Sequence, residues 1–145
     1  MNQPEHDPYN LTRFIEAQDA VYDQVCWELE NGRKLTHWMW FIFPQIKGLS
    51  LSATSKRFAI TTLEESRAYL AHSILGDRLR HCVELVCNIE GKSAKQILGM
   101  TDAVKFRSCI TLFAHATPDD SLFMDALNKY FDGRYDFRTL ELIEE

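Results

Sequence analysis

The stretch Gly32-Arg33-Lys34-Leu35-Thr36-His37-Trp38-Met39-Trp40-Phe41-Ile42-Phe43-Pro44-Gln45 decides how this chain is read. Between Trp38 and Phe43 it packs four aromatic side chains into six positions, behind the cationic pair Arg33 and Lys34. From Trp38 to Pro44 there is no polar face. Such a run suits neither a solvent-exposed helix nor a half-wet strand, so it must cross the core or line a pocket. Thr36 is placed to cap it and Pro44 to end it, which favours a short buried helix.

Helical signals continue on both sides. Upstream, Asn10 is a plausible cap for a helix carrying Leu11, Phe14 and Ile15, and Asp19 for one carrying Val21, Val25 and Leu29 that stops at Gly32. Downstream, Gly48 to Ser55 reads as a loop from which Ser52 opens a brief helix through Arg57. Thr61 or Thr62 with the glutamate three residues later forms a capping box. Ile74 to Glu90 then carries Leu75, Leu79, Val83 and Val86 on one face, with Gly91 as its stop. Ser93 caps a short helix ending at Gly99, Thr101 or Asp102 begins another through Ala116, Pro118 and Asp119 open one through Phe131, and Asp136 caps the last. No segment alternates convincingly. The reading is all-α: a compact, irregular, single-domain bundle of about seven or eight short helices over residues 10–145, after a disordered or extended stretch 1–9.

Composition excludes several function classes. A chain of 145 residues buries a sizeable core without staples, and 46% hydrophobic with 26% charged residues is ordinary for a globular protein rather than a disordered one. No apolar run approaches the roughly 20 residues of a membrane span. The net charge of −5, with both signs mixed along the chain, lacks the electrostatic footprint of a nucleic-acid binder. Met1 to Tyr9 is polar and acidic, without the basic start and apolar stretch of a secretory leader, so a cytoplasmic location is expected. Cys26, Cys82, Cys87 and Cys109 show no Cys-x-x-Cys and no zinc spacing; they read as reduced, buried thiols, with no metal and no cofactor expected.

Two groups of residues could carry chemistry. On a helix from Asp102, Phe106, Cys109, Ile110 and Phe113 form the apolar face, and Asp102 and Lys105 project beside it. A lysine near a helix start is disfavoured by roughly 0.3–1 kcal/mol, so Lys105 is either paired with Asp102 three residues earlier or serves an anion site. The other group is Arg33, Lys34, His37, Trp38, Trp40 and Gln45, in which cations and an imidazole sit next to large π faces and suit a planar or phosphorylated ligand. The alternative is that the tryptophans are core anchors, with Lys34 laying its stem over them.

The segments Phe14 to Asp19 (FIEAQD), Gly32 to Gln45, Tyr69 to Leu79 (YLAHSILGDRL) and Asp102 to Phe113 (DAVKFRSCITLF) resemble the bacterial proteins grouped as domain of unknown function 1810. The resemblance spans nearly the whole chain and implies a compact, mostly helical fold in a bacterial cytoplasm, but no activity. Members are often labelled calpastatin, a name these residues do not support. Carried onto this chain, the family pattern points at Gln18, Lys34, His37, Trp38, Trp40, Gln45, Asp102 and Lys105. Members tend to carry serine at Cys109, which argues against an obligatory thiol nucleophile there.

Two functions follow. In the first, a pocket binds an anionic, nucleotide-like small molecule and could hydrolyse it: Lys34 and Lys105 hold the anion, Trp38 or Trp40 stacks, Gln18, Gln45 or His37 orients the remainder, and Asp102 or His37 is the candidate general base or acid. In the second, the chain is a non-enzymatic protein-interaction module with a purely structural aromatic core. Neither reading calls for nucleic acid or membrane, and the identity of any protein partner is left open.

Overall fold

The computed structural model describes residues 6–144, so the expectation for residues 1–5 lies outside it. Among the described residues the fold is all-α. Ten helices follow in order: α1 (Thr12–Asp19), α2 (Tyr22–Glu30), α3 (Met39–Ile42), α4 (Ala53–Phe58), α5 (Leu63–Ala71), α6 (Ser73–Cys87), α7 (Ala94–Leu98), α8 (Met100–Ala116), α9 (Ser121–Phe131) and α10 (Phe137–Glu144). The number reaches ten because α3, α4 and α7 are each a turn or so long.

Helix α8 is the hub, packed by α5, α7, α9, α10 and α3. Phe106, Cys109, Ile110 and Phe113 are wholly buried, as the pattern requires, but Ser108 and Thr111, polar residues outside that apolar face, are buried too. The reason is α10. Ser108 donates to Asp136 Oδ2 at 3.0 Å, and the Asp136 N–H donates to the Thr111 hydroxyl at 3.0 Å, so the C-terminal helix roofs that face through hydrogen bonds. The aromatic run joins the hub edge-on through Phe43 and Phe106, whose ring centres lie 4.9 Å apart.

Several caps differ from the sequence reading. Asn10 adopts φ 53°, and Asp7 takes its place by accepting the Leu11 and Thr12 N–H groups. Asp19 ends α1 and pairs with Arg78, so α2 starts at Tyr22 with no side-chain cap. Thr36 gives its hydroxyl to Glu28 rather than to a helix start. Asp120, not Pro118 or Asp119, caps α9. The capping box before α5 divides between both threonines: Thr62 accepts the Glu65 N–H, while Glu65 reaches back to the N–H and hydroxyl of Thr61. Ser93 with Gln96 and Asp136 with Thr139 serve as read.

Two devices place the aromatic run. Ile46 and Ile60 form an isolated parallel bridge, in which the Gln45 carbonyl accepts the Ile60 N–H at 2.9 Å and the Lys47 N–H donates to the Ile60 carbonyl at 2.8 Å. Arg13 donates to the carbonyls of Arg57 and Ala59 and pairs with Glu65, tying α1 to the ends of α4 and α5.

The α5–α6 corner is tight enough to demand a glycine. A Cβ at Gly76 would lie 2.1 Å from the Leu70 carbonyl oxygen, a backbone atom with no freedom to withdraw. Gly76→Ala is therefore expected to cost about 1–3 kcal/mol as an overpacking change. The check is thermal unfolding, where the melting temperature should fall by roughly 3–10 °C; an unchanged value contradicts the packing.

Candidate functional site

Everything at the site starts from Glu28, which the sequence reading missed. It lies on the buried face of α2 between Val25 and Leu29 and is itself fully buried. Its Oε1 accepts the Leu35 N–H at 2.6 Å, the Thr36 N–H at 3.0 Å and the Trp38 indole N–H at 3.0 Å; Oε2 accepts the Thr36 hydroxyl and the Gln24 amide. Burial alone would raise its pKa. The donors, led by the Thr36 hydroxyl, outweigh burial and hold the carboxyl at about 2, against the usual 4.5. A glutamate in register with Val25 and Leu29 was the available signal.

That carboxylate folds residues 35–38 around itself and turns Trp38 inward. With its indole 2% exposed and its N–H committed, Trp38 leaves no face for a ligand to stack on. Lys34 precedes the turn, and its ammonium lies 5.0 Å from the Trp38 ring centre and 2.8 Å from Asp102 Oδ2. Lys105 reaches the other oxygen of Asp102 at 3.2 Å and lies 4.5 Å from the ring centre of Trp40. Each lysine thus has an aromatic neighbour and half of one carboxylate.

These groups line an open cleft of about 260 Å³ between the aromatic run and α8, with His37 and Thr54 on its margin. A second, larger cleft of about 670 Å³ adjoins it, and Trp40 and Lys105 belong to both. Gln45, Ser108 and Asp136 line the second one. Of the expected site residues, the structure brings Lys34, His37, Trp38, Trp40, Asp102 and Lys105 to one cleft and Gln45 to its neighbour. Gln18 belongs to neither: it is buried in the core, donating to the Phe41 carbonyl and the Tyr69 hydroxyl and accepting from Arg78. It holds α3 in place from behind.

Lys105 is not at the helix tip. Gly99, at φ 89°, both ends α7 and starts α8 at Met100, so the lysine lies beyond the first turn, where the free N–H groups and the macrodipole no longer act on it. Its charge must be explained by Asp102 and the cleft alone. One carboxylate between two ammonium groups leaves a positive charge uncompensated. Among the described residues no other acid lines that cleft.

The candidate acid-base groups fare differently. Both oxygens of Asp102 are occupied by ammonium groups, and the imidazole of His37 is exposed, with no acid among the described residues to orient it. Cys109 is sealed in the core, where burial pushes its thiol well above the ordinary range. No group of three or more His, Cys, Asp or Glu among the described residues is placed to hold a metal ion, and no helix is long and apolar enough to cross a membrane.

Comparison with known proteins matches residues 8–143 to the model of the family described as protein of unknown function DUF1810. The chain is also similar to a solved structure, the conserved hypothetical protein Rv1873 from Mycobacterium tuberculosis, with 46% identity and a TM-score of 0.94 over 96% of this chain and 99% of that one. No curated protein matches. The chain belongs to the DUF1810 family.

Because the folded pKa of Glu28 lies below 4.5, its contribution to stability is complete above about pH 4.5 and is lost as the pH falls towards 2. Urea unfolding between pH 2 and 7 should therefore show a steeper loss of stability in the wild type than in Glu28→Gln, the variant being less stable by on the order of 3 kcal/mol at pH 7. Parallel pH profiles would contradict the assignment.

Proposed function

We propose that this member of the DUF1810 family binds an anionic, planar small molecule of the nucleotide kind in the cleft between the aromatic run and α8. The observation that carries this is the pair of lysines sharing Asp102, which leaves a net positive charge facing an indole wall. A phosphate or carboxylate supplies the missing charge and accepts charge-assisted hydrogen bonds from both ammonium groups. Asp102 is the clamp that fixes their spacing. Trp40, half-buried and lining the cleft, is the indole against which a ring stacks, and His37 on the margin adds a further donor.

The function is binding rather than hydrolysis, since neither Asp102 nor His37 forms a base and orienting pair. The competing reading, a protein-interaction module around a sealed aromatic core, draws on Met100 and Val104, exposed one turn apart on α8. Against it stands Trp40, which borders open clefts instead of interior.

A thermal-shift series with inorganic phosphate, pyrophosphate and nucleoside monophosphates tests the proposal. At about a hundred times Kd a ligand adds about 2.7 kcal/mol, a rise of roughly 5–10 °C. Lys105→Ala should keep the unliganded melting temperature within a few degrees, because Asp102 retains its pairing with Lys34, and weaken binding about tenfold or more. Stabilisation preserved in Lys105→Ala, or absent from the wild type for every phosphate tested, contradicts the assignment.

A further inference from the structure

The second cleft contains an unanswered hydrogen-bonding group. Gln45 is 96% buried by its 4% exposure, and its Nε2, shielded from water, has no hydrogen-bond partner; its Oε1 accepts from no described residue either. Only the main chain of Gln45 is engaged, through the bridge to Ile60. A side-chain amide carries a donor end and an acceptor end, and a half-turn of its last torsion exchanges them at the cleft wall. Gln18, the other buried glutamine near the run, has its amide fully engaged, so an idle amide is not general to this core.

The two clefts differ in charge. The first is lined by Lys34, Lys105 and Asp102 and is net positive, whereas in the second Lys105 is balanced by Asp136, whose Oδ2 already accepts from Ser108 and from the Thr139 N–H and hydroxyl, leaving Oδ1 as a spare acceptor. An anion suits the net positive first cleft; a neutral group with its own donors suits the balanced second one. Size points the same way. At about 260 Å³ the first cleft is smaller than the ~300–1,000 Å³ of ordinary small-molecule sites, and the second, at about 670 Å³, is within that range.

We propose that the ligand is bipartite: a nucleoside monophosphate whose phosphate sits between Lys34 and Lys105 and whose base passes Trp40 into the second cleft, where it pairs its donor and acceptor edge with the Gln45 amide. Asp136 accepts from the base or sugar. This rests on the anion-binding reading of the first cleft and assigns the ligand class to it.

The test is calorimetric titration of wild type, Gln45→Met and Lys105→Ala with AMP, GMP, CMP, UMP and inorganic phosphate. At least one nucleotide should bind the wild type about tenfold or more tighter than phosphate, and Gln45→Met should lose about that factor for the nucleotide while keeping phosphate affinity. The unliganded Gln45→Met protein should melt no lower than the wild type, because it removes an unsatisfied buried amide. Should that variant fail to fold, the wild-type Gln45 side-chain N–H resonances give the second readout: they shift with the nucleotide and not with phosphate. Nucleotide binding unaltered by Gln45→Met, unmoved Gln45 resonances at saturation, or no nucleotide exceeding phosphate overturns the bipartite ligand while leaving the anion site standing. Absence of phosphate and nucleotide binding alike overturns both.

Discussion

A single buried carboxylate organises this fold where it matters. Glu28 gathers two backbone N–H groups, a hydroxyl, an indole and an amide, so that removing it would take the acceptor from five donors, one of which, the Trp38 indole, is in the core. A buried charge of this kind is costly unless every lone pair is used, and here the protein wraps a loop around it to do so. The loop is the entrance to the aromatic run. Because Trp38 is anchored inward, Trp40 two residues later is left at the surface of the core, and Lys34 is delivered to α8.

On α8 the constraint becomes electrostatic. Asp102 receives one ammonium from its own helix and one from the loop, at 3.2 and 2.8 Å, and thereby joins the two halves of the site. The lysines also lie against Trp38 and Trp40, where a cation over a ring contributes about 0.5–1 kcal/mol or more once partly desolvated. These contacts steady both ammonium groups without cancelling the extra charge. On the proposed reading the arrangement is preorganised for an anion, with little ordering left to occur on binding.

Much of the architecture was legible in local signals. The stops near Gly32 and Gly99, the Ser93–Gln96 box and the spacing of Leu75, Leu79, Val83 and Val86 depend on neighbours within a turn or two, and sequence carries such information well, although α6 ends at Cys87 with Asn88 as its cap, three residues short of the expected Glu90 and its stop at Gly91. What was not legible depended on partners outside a residue's own helix, some of them far along the chain. Glu28 looks like any helical glutamate until its register with Val25 and Leu29 is noticed, and Ser108 and Thr111 look solvent-facing until α10 covers them. The lysines and indoles of the cleft could be named individually, since their types are unusual for their surroundings. Gln18 and Gln45 could not be told apart, because only tertiary packing decides that one amide is satisfied and the other idle.

The central claim is that Glu28 and Asp102 together hold two ammonium groups ready for one anion. The most direct measurement is anomalous diffraction from crystals soaked in tungstate, a heavy analogue of phosphate. The account predicts a peak in contact with both Lys34 Nζ and Lys105 Nζ, beside Trp40, with the Glu28 hydrogen bonds intact. Lysines turned away from Asp102 into solvent, or tungstate bound only elsewhere on the surface, would contradict it.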